Sequence, residues 1–516
     1  MWMVAAPIRA GLLPHDEFGL RFWDAAMGAA ALVYVFLLAT RLSNALGGLA
    51  AASILFVHWP LVFMHGLRSN NMEAALTLSY AGGFHHYLAW VRGGSGGRRR
   101  VHLLSIALFF VLAFMTKFVA ALFFPLMIAV ATVGNREIRS AARRDWRVWM
   151  GACAFAAAVI VPWFVYEHLQ YHELFWRTLV GVHVYQRFTA SVDPAHLHPW
   201  SYYLQQLVQW LQSSGTLPVV AAGLALFLFQ AAMRRRFEAA VMLMWAVLPL
   251  ILISLGTSKL YHYEYPFLAP LAIAAGVAIA RAVPVVDRWL RRVFEPMRGR
   301  GIAHPALRRA CAVVAIAAFA VAVVTLLFGP IEIAVGGYRL LKNGAAIRPS
   351  IVCVSAALAA GHPDLLRRMV IPILVLAVLP LPAYRDVLRH LEDGPHPLRA
   401  SSACIAQLQQ QPASPLRAGL FVDATDQQLV HPPFYYFRRI QPWERPKAGD
   451  DRAVAQNLGS GTERAMLLSS TRYRDLVSRG VLSAQSPAAR VDLPQLVLVL
   501  PGSYAACAAA ARHPGS

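Results

Sequence analysis

Charge is scarce in this chain: of 516 residues, 14% are Asp, Glu, Lys or Arg, against 58% hydrophobic. A soluble domain carries about a quarter charged residues, so the composition excludes an ordinary soluble globule. Lysine is scarcer still. Among 48 basic residues only Lys117, Lys259, Lys342 and Lys447 are lysines, which leaves 44 arginines. Ionisable groups are nearly missing from the middles of the long apolar runs, where a transporter tends to place them. No internal repeat is visible, and residues 1–20 contain neither a signal peptide nor a spanning helix.

What is present is a series of apolar runs of bilayer-crossing length. They fall near 22–41, 45–64, 73–91, 102–116, 118–133, 147–166, 215–233, 238–255, 265–283, 311–329 and 369–385, with a weaker one near 349–361. This predicts a polytopic α-helical membrane protein of about twelve spans. The net charge of +22 would suit a nucleic-acid partner, but its distribution speaks against one. Arginines cluster at 98–100, 143–144, 234–236, 288–309 and 367–368. If each run crosses once, all these clusters share one face, which is the positive-inside bias of a cytoplasmic side. Residues 395–516 differ in kind. "RAGLFVDA", "FYYFRRI", "RAMLLSS" and "LPQLVLVLPG" read as short strands, and "RAVAQNL" and "TRYRDLVSRG" as helical turns. We expect a membrane domain over 1–390, with a long outer loop at 167–213, and a small soluble α/β domain over 395–516 on the outer side.

The polar residues that topology leaves unexplained lie on that outer face: "HGLRSNNMEA" (65–74), "MTKF" (115–118), "HVYQRFTASVDPAHLHPWSYY" (183–203) and "TSKLYHY" (257–263). Two of the four lysines, Lys117 and Lys259, stand there at helix ends. An ammonium is a compact charge that suits phosphate, although a snorkelling lysine also marks a helix end. Arg187, with His183 one helical turn before it, can grip a phosphate bidentately while the imidazole donates or relays a proton. A plain pairing of Arg187 with Glu167 or Glu173 is the competing account. His183, His196 and His198 fit no common zinc spacing, and no metal or other cofactor is indicated. A site floored by hydrocarbon and rimmed by cations suits a substrate with a lipid tail and a charged head.

These residues resemble a family. "SLGTSKLYHYEYPFLAPLAI" is similar to the S-x-S-K-L-P-x-Y-x-L-P element of bacterial membrane glycosyltransferases of the GT-C fold, the lipid A aminoarabinose transferases and family 39 protein mannosyltransferases. "FVLAFMTKFVAALFFPL", "PWFVYEH", "FGLRFWDAAMGAAALVYVFLLATRL" and "LRSNNMEAAL" resemble further segments of that family, over about residues 10 to 283. The resemblance implies sugar transfer from a polyprenyl-phosphate donor to a lipid, glycan or protein acceptor outside the bacterial inner membrane, with inversion. It implies that Lys259 and Tyr263 hold the donor phosphate, with Lys117 and Arg187 lining the same cavity; His183 and Arg68 are further candidates for binding the donor. The sequence departs at three points. Tyr261 replaces the family's Pro after K-L, Phe118 replaces its Gly after T-K, and Glu73 stands where relatives have Asp. The family's catalytic Asp falls before residue 1, so the expectation is a chain lacking one N-terminal helix and its base. Glu73 and Asp16 are the fallback acids, Asp16 and its neighbour Glu17 lying in a linker that matches a variable stretch.

Three other readings compete: a lipid-linked sugar flippase or transporter, an O-antigen-ligase-like enzyme, and a non-catalytic envelope scaffold binding glycan through the C-terminal domain. Nucleotide-sugar transfer in the cytosol is disfavoured by the lack of a D-x-D motif and of a large inner domain. Cys153, Cys311 and Cys353 lie in apolar runs as small packing residues. Cys404 and Cys507 bracket the C-terminal domain on the oxidising side, and we expect them to form a disulfide.

Overall fold

The computed structural model describes residues 2–64, 66–67, 71–93, 96–190, 196–335 and 338–391, and beyond these 397–409, 420–424, 443–445, 450–452, 454, 465–482, 489–492, 496–500 and 507. The chain divides into two compact units, Met1–Leu388 and Arg389–Ser516.

In the first unit a short helix α1 (Trp2–Arg9) precedes α2 (Glu17–Leu42). Asp16 caps α2, its Oδ1 accepting the Gly19 N–H at 3.0 Å, the usual way to satisfy an orphan donor of a first turn. Asn44 caps α3 (Ala45–Phe56) in the same manner at 3.2 Å. A π-helical turn, Pro60–Met64, leads towards α4 (Glu73–Val91). Helix α5 (Gly96–Thr116) breaks at Lys117 into α6 (Phe118–Ala121) and α7 (Phe123–Gly134), and α8 (Arg136–Arg144) turns away by 109°. Next, α9 (Trp146–Trp176) kinks at His172, whose φ is 48°, and runs on as a π-helical segment, Arg177–Gln186, into α10 (Arg187–Thr189). The residues read as an outer loop from 167 are thus largely helical, including α11 (Tyr202–Ser213). Then come α12 (Leu217–Ala232), α13 (Phe237–Leu255), a 3-10 stretch Tyr261–Phe267, α14 (Ala269–Phe294) and α15 (Pro305–Phe328). An antiparallel hairpin of β1 (Ile331–Val335) and β2 (Tyr338–Asn343) leads into α16 (Ile347–Ala359), α17 (Pro363–Val378) and α18 (Leu381–Leu391).

Glycine sets the tightest packing. A Cβ on Gly276 of α14 would overlap the Gly47 carbonyl oxygen of α3, and one on Gly223 of α12 would overlap the Ala274 carbonyl. Small residues let backbones approach where lipid provides no hydrophobic drive between helices. Around this seam, Phe84 of α4 stacks on Trp245 of α13 with ring centroids 4.7 Å apart.

Six helices among the described residues are long and apolar enough to cross a membrane, or eight if each of two bent pairs counts as one span; three more apolar helices have 10–17 residues. This is a multi-pass helical architecture, but it does not confirm the expected twelve spans. Helix α4 shows one reason. It carries Glu73, His85 and His86, and it is buried over nearly its whole length, so its surroundings are protein and it needs less apolarity.

In the second unit, α19 (Pro397–Gln409) accompanies a five-stranded sheet of β3 (Leu420–Asp423), β4 (Trp443–Glu444), β5 (Ala465–Ser469), β6 (Ala489–Asp492) and β7 (Leu496–Leu500), in the order β4-β3-β5-β7-β6. Strand β3 runs parallel to β4 and β5, and β7 antiparallel to β5 and β6. Helix α20 (Ser470–Ser478) follows β5 directly. The expected strand "FYYFRRI" lies outside the described residues, as does most of the expected helical turn "RAVAQNL". Cys404 and Cys507 are joined as a disulfide.

Candidate active site

The segment after α13 is stitched to the end of the outer stretch. Ser258 forms an isolated antiparallel bridge with Leu197, and the Lys259 backbone N–H donates to the His196 carbonyl at 2.8 Å. Thr257 Oγ1 donates to the Phe188 carbonyl at 2.8 Å, which brings the α10 backbone, and with it Arg187, beside this strand; the Arg187 side chain lies outside the description. Lys259 is buried, and its Nζ donates to the Gly256 carbonyl at 2.5 Å and the His198 carbonyl at 3.1 Å. Burial lowers the pKa of this ammonium, and the two carbonyls hold it in place.

Beyond Lys259 the chain tightens into the 3-10 stretch, where His262, Glu264 and Tyr265 are buried. Three elements meet here. Glu73 opens α4, where the helix dipole favours a carboxylate. Lys117 stands at the break between α5 and α6. Its Nζ lies 3.1 Å from Glu73 Oε1 and 4.5 Å from the centre of the Tyr263 ring, a cation–π distance. His262 Nε2 lies 3.8 Å from the same Glu73 oxygen. The Glu73 side chain is 2% exposed, whereas that of Lys117 is 25% exposed. A buried carboxylate therefore anchors a cation that remains reachable.

Of the residues predicted from sequence, the structure brings together Glu73, Lys117 and Tyr263, with Lys259 four residues before Tyr263. His183 is exposed on the π-helical segment, Asp16 serves as the α2 cap, and Arg68 lies outside the described residues. Sequence reasoning missed His262, Glu264 and Asp24. Asp24 is buried in α2, accepts the Asn71 backbone N–H and lies within electrostatic reach of Glu73. The available signal was an acid inside the apolar run 22–41, whose only other charged residue is the terminal Arg41. No group of three or more His, Cys, Asp or Glu that could hold a metal occurs among the described residues.

Chemically, the cluster offers a half-open ammonium, an aromatic wall, an imidazole and a buried carboxylate at the end of an apolar bundle. Solved structures with the same architecture fix the fold. ArnT from Cupriavidus metallidurans in the apo state superimposes with a TM-score of 0.53 at 16% identity, covering 98% of this chain and 87% of that one. The same protein bound to undecaprenyl phosphate gives 0.52 at 18% identity with the same coverage. The chain has this GT-C-like fold. Residues 2–166 match the family model described as dolichyl-phosphate-mannose-protein mannosyltransferase. An undecaprenyl phosphate-alpha-4-amino-4-deoxy-L-arabinose arabinosyl transferase from Pseudomonas aeruginosa PAO1 is 29% identical over 331 residues, which is 62% of this chain and 54% of that protein. A Pseudomonas fluorescens Pf0-1 protein of the same kind is 27% identical over 304 residues, 54% of this chain and 48% of that protein. The chain spans about half the length of the curated relatives it matches.

Proposed function

We propose that this chain transfers a sugar from a polyprenyl-phosphate donor to an acceptor at the outer face of a bacterial inner membrane. The observation that carries the reading is Lys117, held by buried Glu73 and faced by Tyr263 at the edge of a GT-C-type bundle. In such a transfer the C1–O bond to the phosphate breaks as the acceptor oxygen attacks, with inversion, and negative charge grows on the lipid phosphate. Lys117 is the reachable cation for that charge, and Lys259 supplies a second from just below the surface. Electrostatic stabilisation of a leaving group in a water-poor site commonly contributes more to such catalysis than any other effect. Glu73 is the nearest carboxylate for the acceptor proton, which general-base catalysis requires.

The relatives' names support an amino-pentose donor and the ArnT complex supports a polyprenyl phosphate. The positive-inside pattern supports an outer-face position for the 395–516 domain. Lipid, glycan and protein acceptors all fit. A transporter of lipid-linked sugars is the second reading, and the buried Asp24 in α2 is the one observation in its favour.

The test is transfer of labelled sugar from polyprenyl phosphate in proteoliposomes. Lys259→Ala and Arg187→Ala should each lower the rate by about tenfold or more, because charged hydrogen bonds to a desolvated phosphate contribute roughly 1.5–3 kcal/mol, while membrane insertion stays intact. Normal transfer by both variants would rule out this assignment, and movement of donor lipid without transfer would favour the transporter.

A further inference from the structure

An open cleft lined by Leu42, Arg92, Phe227, Gln230, Arg234, Arg236, Glu238, Ala239 and Arg281 lies at the other end of α4 from Glu73. Arg92 directly follows that helix, and 19 residues at about 1.5 Å each separate the two sites by roughly 28 Å. That is close to one bilayer core. The cleft therefore belongs to the arginine-rich membrane edge, away from the Glu73–Lys117 cluster.

Its charge balance is strongly positive. Some arginines of the same edge meet an acid closely: Arg99 with Asp145 at 2.8 Å, Arg367 with Asp287 at 2.9 Å and Arg298 with Asp364 at 2.8 Å. In the cleft four arginines face a single carboxylate, Glu238, which Arg92 meets only at 3.4 Å. The backbone builds this convergence at a cost. Between α12 and α13, Arg235 adopts φ 49°, a left-handed conformation uncommon for a non-glycine residue, and the residues on either side of it, Arg234 and Arg236, both line the cleft. Two more arginines grip neighbouring helix ends: Arg92 donates to the Arg41 carbonyl at 3.2 Å and Arg281 to that of Leu42 at 3.5 Å. Leu42, Phe227 and Ala239 supply apolar surface beside them.

We propose that this cleft is a binding site for the phosphodiester headgroup of an anionic phospholipid in the leaflet opposite the Glu73 site. Guanidinium forks match phosphate oxygens bidentately, and basic pockets between helix ends at the cytoplasmic edge are suited to anionic lipid headgroups. The apolar side of the cleft accommodates the start of the acyl chains, which a free inorganic phosphate would leave unused.

The test titrates short-chain phosphatidylglycerol, phosphatidylcholine and inorganic phosphate onto the purified full chain in detergent, reading bound lipid by native mass spectrometry. Phosphatidylglycerol should bind saturably and phosphatidylcholine at least about tenfold more weakly. Arg234→Gln with Arg236→Gln should weaken phosphatidylglycerol by about tenfold or more, since each charged hydrogen bond lost contributes about that factor. The exposed pair Arg308→Gln with Arg309→Gln removes the same charge from the first turns of α15 and should change nothing. Glu238→Gln, which removes the competing carboxylate, should tighten binding. Equal binding of the two lipids, equal loss in both double variants, or weaker binding in Glu238→Gln would overturn the proposal. Displacement of the lipid by millimolar inorganic phosphate would reassign the cleft to a soluble phosphate and overturn the lipid.

Discussion

Glu264 sits in the 3-10 stretch with 1% exposure, and neither of its carboxylate oxygens has a hydrogen-bond partner among the described residues. Burial raises its pKa from 4.5 to about 8, so near neutral pH the folded chain holds a proton that the unfolded chain has released. Stability from this group is therefore full below about pH 4.5, falls as pH rises, and levels off above about pH 8. Glu264→Gln should raise the melting temperature at pH 8 by an amount corresponding to a few kcal/mol, on the order of 1.4 kcal/mol for each tenfold change in proton affinity, and make no difference near pH 4.5. Thermal unfolding of both proteins across that range checks the sign. At this scale the sequence is partly legible. Lys117 and Tyr263 stand out because each is a polar residue beside a long apolar run. The carbonyl grip on Lys259 is not visible, since it depends on His198, 61 residues away. His262 and Glu264 lie within a conspicuous motif, but only burial against neighbouring elements gives them meaning.

Elements are legible where hydrophobic length decides them and obscure where neighbours do. The apolar runs of α2, α13, α14 and α15 emerge as long helices. Helix α4 has the length of an ordinary span, yet its neighbours rather than lipid surround it. The hairpin of β1 and β2 reads as loop, since its residues of mixed polarity carry no clear period. The seam of α3 with α14 supplies a prediction. Gly276→Ala drives a methyl into the Gly47 carbonyl oxygen and to 2.8 Å from Ala51 Cβ. Neither backbone can yield without separating the helices, so the change should destabilise by roughly 1–3 kcal/mol. Gly134→Ala, where a Cβ meets nothing within 4 Å, should leave the melting temperature nearly unchanged. Equal melting for the two variants would show that the seam is looser than described.

At the scale of the whole molecule, the chain divides into its two units between Leu388 and Arg389, close to where the composition changes. Sheet order is beyond sequence reasoning, since strands of four or five residues carry little register information. The Cys404–Cys507 bond closes a separation of 103 residues across the second unit. In the chain-entropy picture a loop of that size contributes roughly 4–5 kcal/mol. Cys404→Ser should accordingly lower the denaturant midpoint of the 389–516 unit and leave that of the helical unit unchanged, as separate fluorescence probes in each unit would report. The membrane unit, in turn, gathers Glu73, Lys117, His262 and Tyr263 at one edge and four arginines at the other. The central claim concerns the first of these groups. Its most direct measurement is the affinity for undecaprenyl phosphate, against the neutral alcohol undecaprenol, of the chain in nanodiscs of uncharged lipid. The phosphate should bind at least about tenfold more tightly, Lys117→Ala should lower that preference by about tenfold, and the Arg234→Gln, Arg236→Gln double variant should retain it. Equal affinity for the phosphate and the alcohol, or a preference that Lys117→Ala leaves unchanged, would contradict the account.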